Sequence, residues 1–310
     1  MTRVAAIDCG TNSLRMLVAD VDRGAGTLVD VERQMEIVRL GQGIDRTGRI
    51  APAALERTLK VTADYAVRCR ELGVEAMRFV ATSASRDAEN RDEFVVGVRE
   101  LLGVEPEVVP GLEEAQLAFA GATFELAAAG GGPFLVVDIG GGSTELVRGD
   151  DSVESALSVD IGCVRLTERH LHSDPPTQVE VAAARADIEA GLDRIAEVVA
   201  LQGIRTVVGV AGSVTNVTAT ALELTEYDPA RIHRTELAVD VARLACDELL
   251  AMSRAQRAAL PFMHPGRVDV IGAGALIWRM VIDRMVAESG IASVVASERD
   301  ILDGIAFSIT

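Results

Sequence analysis

Lysine is almost missing. Of the 30 cationic side chains in these 310 residues only Lys60 is a lysine, and the rest are arginines. No glycine-rich loop ends in Gly-Lys-Ser or Gly-Lys-Thr, which excludes a P-loop nucleotide hydrolase. A lysine Schiff base would rest on Lys60, which lies in a helix-like stretch and disfavours that chemistry. Positive charge is scarce as well: 47 acids against 30 cations leave a net charge of −17. An unrelieved negative surface repels phosphate backbones, which argues against a general nucleic-acid binder.

Cysteine is sparse and scattered. Cys9, Cys69, Cys163 and Cys246 form no C-x-x-C and no paired Cys/His spacing. Structural zinc and a disulfide framework are therefore poorly supported, and thiols packed as small apolar groups are expected. Long apolar runs are lacking too. The first residues meet a charge too soon for a secretory signal. The longest uncharged stretch, residues 206–222, is interrupted by Gly, Ser, Thr and Asn, and is too polar to span a bilayer. The expectation is a soluble cytoplasmic protein that binds neither nucleic acid nor membrane.

What is present is enough apolar material, 49% of residues, for a sizeable core. The length fits roughly two domains of about 150 residues. Strand-like runs at residues 4–7, 14–19 and 27–40 precede a helix that starts at Pro52 and ends at Gly73. A strand at 77–81 leads to Thr82 as a candidate N-cap. Helices are expected from about Arg91 to Gly103 and from about Glu113 to Phe124, with a strand at 105–109 between them. The Ala- and Gly-rich stretch 127–133 is the best internal boundary. Beyond it helices dominate, at 164–171, 178–201, 214–224, 240–252 and 268–287. Strands at 205–210 and 292–296 interrupt them, and an amphipathic piece at 298–308 ends the chain. Mixed elements in two similar halves imply α/β layering with ligand between the halves.

The pattern restarts after the boundary. Ile7-Asp8-Cys9-Gly10-Thr11-Asn12-Ser13 and Val137-Asp138-Ile139-Gly140-Gly141-Gly142-Ser143 place Asp, Gly and Ser at identical offsets. Each follows one apolar strand and leads into another, so each is a tight hairpin turn with an acid at its mouth. Glycine there lets phosphate oxygens approach backbone N–H groups closely. The aspartates cannot bind phosphate directly; a hydrated Mg²⁺ bridging to phosphate is their natural partner. A lone Gly-Gly-Gly would be weak support, but two matching turns imply duplicated phosphate clamps. Plain structural hairpins are the alternative.

These two turns resemble the phosphate loops of the actin, heat-shock ATPase and sugar-kinase superfamily. More narrowly, nearly the whole sequence resembles the exopolyphosphatase / guanosine pentaphosphate phosphohydrolase family. The match rests on Asp8-Cys9-Gly10-Thr11-Asn12-Ser13-Leu14-Arg15, Ala81-Thr82-Ser83-Ala84-Ser85-Arg86-Asp87-Ala88, Gly111-Leu112-Glu113-Glu114-Ala115 and Asp138-Ile139-Gly140-Gly141-Gly142-Ser143-Thr144-Glu145-Leu146. Val210-Ala211-Gly212-Ser213 fits a further loop. Longer relatives add C-terminal helical domains, and this sequence resembles a short form.

The resemblance implies two actin-like (ribonuclease H-like) α/β domains with a duplicated phosphate-binding β-hairpin and an interdomain cleft. The expected domains are residues 1–124 and 125–297, with a helix at 298–310 returning to the first and hinges near 124–132 and before Glu298. It places the catalytic glutamate at Glu114, as the base that orients water. An acid pair at a helix start that merely complements the helix dipole would look the same. Glu113 is the candidate cap. Arg86 would hold phosphate oxygens through its planar guanidinium, although a structural pairing with a helix acid is the plain alternative. Asn12, Ser13, Gly140, Gly141, Gly142, Ser143, Gly212 and Ser213 would bind substrate phosphate. Asp138 and Glu145, with Asp8 as a third, would hold Mg²⁺, and K⁺ stimulation and a homodimer are further implications. Glu145 also reads as an ordinary strand residue. Arg165 and Arg267 are candidates for a groove along a polymer. The four histidines read as surface or structural.

The reaction implied is Mg²⁺-dependent hydrolysis of the terminal phosphate of inorganic polyphosphate. The residues alone support a narrower statement, a metal-dependent phosphoryl-transfer site. Hydrolysis of guanosine pentaphosphate is the alternative within the family. A non-catalytic nucleotide-binding regulator is the alternative outside it, and a sugar or acetate kinase fits less well. Charge does not oppose these readings. Residues 1–124 carry 15 cations against 20 acids, and residues 125–310 carry 15 against 27. The acidity thus lies mainly in the second half, and surface acids beyond a Debye length of about 8 Å are screened.

Overall fold

The structure is a computed structural model that describes residues 1–127 and 131–309. The chain divides into two compact units, Met1–Gly121 together with the chain from Ile301 onward, and Ala122–Asp300. The Ala- and Gly-rich boundary and the first hinge expected from the sequence fall partly on residues 128–130, outside the described residues, as does the last residue of the expected terminal helix.

In the first unit β1 (Thr2–Cys9), β2 (Ser13–Asp22) and β3 (Thr27–Ile37) form an antiparallel meander. A short α1 (Ile44–Thr47) precedes α2 (Pro52–Glu71), which starts on Pro52, where the missing N–H costs nothing, and stops before Gly73 at φ 69°. There follow β4 (Ala76–Ala81), α3 (Ser83–Asp87), α4 (Arg91–Leu102), β5 (Glu107–Val108) and α5 (Gly111–Ala127). β4 runs parallel to β1, and β5 parallel to β4, giving the order β3-β2-β1-β4-β5. Successive side chains of a strand point to opposite faces. Ala5, Ile7 and Cys9 accordingly join a core with Tyr65, Phe79 and Phe94. Val4 and Ala6 join the opposite core with Leu117, Ala118 and Ile305.

The second unit repeats this topology. β6 (Phe134–Ile139), β7 (Thr144–Gly149) and β8 (Val153–Val159) form the meander. After α6 (Cys163–His170) and α7 (Gln178–Val198), β9 (Thr206–Val210) pairs parallel with β6. Then come α8 (Ala211–Ala221), α9 (Pro229–Ile232), β10 (Glu236–Ala238), α10 (Val239–Ala251), α11 (Arg254–Ala258), α12 (Ile271–Ser289) and β11 (Ser293–Ala296). The sheet order is β10-β11-β9-β6-β7-β8. All six residues of β6 are buried, as a strand covered on both faces requires. The last helix, α13 (Ile301–Ser308), packs on β1 and β2 of the first unit. The two units share the ribonuclease H-like pattern, so this is the duplicated actin-like fold.

Three local expectations change. Gly212 and Ser213 lie in the first turn of α8, which begins at Ala211 rather than near residue 214. β8 and β10 were not legible as strands, because β8 mixes polar and apolar residues without regular alternation and β10 has three residues. Thr82 holds the N-cap position of α3 without a side-chain capping bond. No helix among the described residues is long and apolar enough to cross a membrane.

Candidate functional site

In the first unit β1, β4 and β5 run parallel, so the turn after β1, α3 after β4 and α5 after β5 all leave the carboxyl edge of one sheet. That edge is where open α/β sheets bind ligands. The Gly10 N–H donates to the Ser13 carbonyl at 3.0 Å and closes the turn. The Asn12 carbonyl accepts from the N–H groups of Val38 and Arg39, and the Thr11 carbonyl from that of Gly41. A Cβ on Gly41 would come within 2.3 Å of the Thr11 methyl, so glycine there lets the two loops close. The Thr11 and Ser83 hydroxyls meet at 2.8 Å and join this turn to α3.

Arg86 and Glu114 are brought together. An Arg86 Nη1 hydrogen is donated to Glu114 Oε2 at 3.1 Å, and the same nitrogen donates to the Val109 carbonyl at 3.0 Å. Glu114 is buried and Arg86 partly so. The neighbouring acid faces elsewhere: Glu113 pairs with Arg78 at 2.5 Å and is partly exposed. One helical step, about 100°, separates the two acids, which gives them different surroundings.

Asp8 is buried at 4% exposure, and Arg15 Nη2 meets its Oδ2 at 2.6 Å. The two stand directly opposite in the β1–β2 hairpin. The equivalent pair in the second unit is Asp138 opposite Glu145, across β6 and β7. Their exposures are 7% and 1%, and Glu145 Oε1 accepts from the Ser158 hydroxyl at 2.5 Å. The repeat therefore differs in charge at one position: acid with cation in the first unit, acid with acid in the second. Hairpin spacing carries this signal, since residues equally distant from a turn face each other, although Arg15 was not singled out from the sequence.

The second turn closes as the first does, with the Gly140 N–H donating to the Ser143 carbonyl at 3.0 Å. It is braced by the start of α6. Cys163 N–H donates to the Gly140 carbonyl, and those of Val164 and Arg165 to the Gly141 carbonyl. Arg165 Nε donates to the Gly142 carbonyl at 2.8 Å. A Cβ on Gly162 would lie 2.2 Å from the Gly141 oxygen, so only glycine permits this approach. Gly162 had no distinguishing mark in the sequence. Gly140, Gly141 and Gly212 are partly exposed, whereas Ser143 and Ser213 are buried at 1% and 3%. β6 and β9 run parallel, which puts this turn and the start of α8 at the carboxyl edge of the second sheet. Ala211, at that start, has φ 65°, a conformation rare for a residue with a Cβ. The guanidinium of Arg267 covers Gly212 where a Cβ would otherwise stand. Burial pushes the Cys163 thiol up, with Arg267 opposing, as expected of a thiol packed away from solvent.

The donor set of the second hairpin admits a divalent cation. Among the described residues no three His, Cys, Asp or Glu side chains gather into a metal-binding group. Mg²⁺ needs only one or two carboxylates when waters and substrate phosphates complete its shell. Asp138 and Glu145, two buried carboxylates side by side, fit that requirement. Asp8, ion-paired with Arg15, does not offer the same.

The Ppx/GppA phosphatase family profile matches residues 17–308. Exopolyphosphatase 2 of Mycobacterium tuberculosis is 50% identical over 100% of this chain and 99% of its own length. The crystal structure of an exopolyphosphatase-like protein is 44% identical, with a TM-score of 0.94 over 99% of this chain and 98% of that one. A Ppx/GppA family member from Aquifex aeolicus is 29% identical, with a TM-score of 0.81 over 99% and 97% of the two chains. With the duplicated turn and the Arg86–Glu114 pair in place, this chain belongs to the Ppx/GppA phosphatase family.

Proposed function

We propose that this protein is an exopolyphosphatase, which hydrolyses the terminal phosphoanhydride of inorganic polyphosphate and releases orthophosphate. The Arg86–Glu114 pair at the carboxyl edge of the first sheet carries the reading. The name of the half-identical mycobacterial relative supports the substrate.

Glu114 is the general base. It accepts a proton from water as the water oxygen bonds to the terminal phosphorus and the bridging P–O bond breaks, leaving a chain one unit shorter. A positioned base of this kind contributes about 10²–10⁴-fold. Arg86 has a second task. Phosphoryl transfer spreads negative charge over the equatorial oxygens, and a planar guanidinium can hold two of them at once. Its bond to Glu114 also aims that carboxylate, which a base requires. Asn12 and Ser13 on the first turn, Gly140, Gly141, Gly142 and Ser143 on the second, and Gly212 and Ser213 at the start of α8 bind phosphate oxygens. The two buried serines act chiefly through the backbone. Arg267 over Gly212 supplies positive charge beside that helix start, and Arg165 braces the second turn.

Asp138 and Glu145 are the residues that would hold Mg²⁺, and the ion would supply neutralisation of phosphate charge. Asp8 is left out of this set and keeps the first turn in shape through Arg15. Four free, buried thiols suit a reducing cytoplasm.

Phosphate release from long polyphosphate, short polyphosphate, guanosine pentaphosphate and ATP, each with Mg²⁺, tests the proposal. Release from polyphosphate is expected. Release from guanosine pentaphosphate alone would move the activity to the other branch of the family, and no release from any would make this a binding protein.

A further inference from the structure

β3 is antiparallel to β2, as β1 is, so β1 and β3 end at the same carboxyl edge of the first sheet. The chain leaving β3 folds back over the first turn. Val38 and Arg39 give their N–H groups to the Asn12 carbonyl at 3.0 and 2.9 Å, and Gly41 gives its N–H to the Thr11 carbonyl at 2.8 Å. Arg57 Nε donates to the Val38 carbonyl at 3.1 Å and anchors the same loop from α2. Between residues 38 and 50 the backbone enters the left-handed region at three positions. At Gly43 (φ 78°) and Gly48 (φ 68°) no side chain resists it. At Arg39 (φ 50°) a Cβ does. A residue strained in this way persists only where its surroundings over-determine it, and such residues gather at ligand sites. Glycine would take the same backbone without the strain, so the use of Arg39 lies in its side chain. That side chain is only partly buried.

We propose that Arg39 is a further substrate-binding residue, whose guanidinium holds a phosphate of the polyphosphate chain seated on the first turn. The inference rests on the exopolyphosphatase reading above. Two arginines at this edge are each held by a carboxylate, Arg15 by Asp8 and Arg86 by Glu114, so neither pair adds net positive charge for a polyanion. The returning loop brings the backbone of Arg39 within one hydrogen bond of the phosphate turn, and its left-handed φ sets the direction of the Cα–Cβ bond. A planar guanidinium there grips two phosphate oxygens at once. Arg39 thus supplies affinity, whereas Arg86 stands beside the base.

Titration of long-chain polyphosphate with Mg²⁺ into the Glu114→Gln protein, with and without Arg39→Gly, tests this. Arg39→Gly is expected to weaken binding about tenfold or more, as loss of a charge-assisted contact does. The dependence of log Kd on log salt should become shallower, because fewer counterions are released from the polyanion. The melting temperature should equal or exceed that of the parent, since glycine relieves the backbone. Arg39→Lys should restore the salt dependence and part of the affinity, keeping the charge without the fork. An unchanged Kd would overturn the proposal. So would weaker binding with an unchanged salt dependence, which would mark Arg39 as a structural residue. Phosphate release by the wild type judges the underlying reading separately. Binding that depends on Arg39 without any release would overturn the exopolyphosphatase reading alone, and no binding of polyphosphate would overturn both.

Discussion

Arg86 and Glu114 are 28 residues apart in sequence, on different helices, and their side chains meet at 3.1 Å. Each helix follows a strand of the same parallel set, so the sheet itself fixes the separation. An ion pair of this exposure is worth little as a stabiliser, on the order of 1 kcal/mol or less. Its place at the carboxyl edge of the first sheet suits it to the catalytic use proposed above.

Arg86→Lys is therefore expected to fold normally and fail catalytically. Lysine keeps the charge but not the planar fork that grips two oxygens. A loss of about 10²–10³-fold in kcat, the scale seen when one preformed donor is removed from a charged transition state, is expected in steady-state phosphate release. Its melting temperature should stay close to that of the wild type.

The difference between the two hairpins separates the three aspartate and glutamate positions. Asp138→Asn and Glu145→Gln should raise the Mg²⁺ concentration for half-maximal rate about tenfold or more, as loss of a ligand or its support does. Asp8→Asn should instead weaken the partly buried contact with Arg15, a loss of about 1–3 kcal/mol read by urea unfolding. Its Mg²⁺ requirement should be unchanged. A metal titration of the three variants distinguishes these outcomes.

Two glycines make a second contrast. Gly162→Ala would force a methyl against the Gly141 carbonyl, which is backbone and cannot swing away. The second turn must then move, with a cost of about 1–3 kcal/mol and a fall in activity. Gly203 has φ 73° and open space around it, so Gly203→Ala should cost about 1 kcal/mol of conformational strain and leave turnover intact. Thermal melts and rate measurements on both variants check the pair.

Acid stability has a local marker at α7. Glu180 accepts from the backbone N–H groups of Thr177 and Ser173, which lowers its carboxyl from the ordinary 4.5 to about 2. The folded carboxyl is thus the stronger acid. The capping contribution is complete above about pH 4.5 and is lost as pH falls toward 2. In Glu180→Gln, which can still cap, that part of the pH dependence should vanish. Melting temperatures measured between pH 5 and 2 would then fall less steeply than those of the wild type.

Much of this was legible before any coordinates, for identifiable reasons. The duplicated turn could be read because Asp, Gly and Ser recur at the same offsets between apolar strands. α2 and α4 could be read because Pro52, Gly73 and Gly103 punctuate them. The start of α8 was misplaced because Ala211, Gly212 and Ser213 look like loop residues and only the positive φ at Ala211 turns strand into helix. Gly162 and Gly41 stayed hidden because their importance lies in contacts with residues far along the chain. The partner of Glu114 was hidden too, since the two side chains meet only after the parallel strands have paired.

Orthophosphate release from long-chain polyphosphate with Mg²⁺, compared between wild type and Glu114→Gln, tests the central claim most directly. The glutamine keeps the shape of the site and can still accept from Arg86, but cannot take a proton from water. Steady release by the wild type, one terminal unit at a time, is expected, with a rate lower by about 10²–10⁴-fold in the variant and substrate binding retained. A variant as fast as the wild type would contradict it.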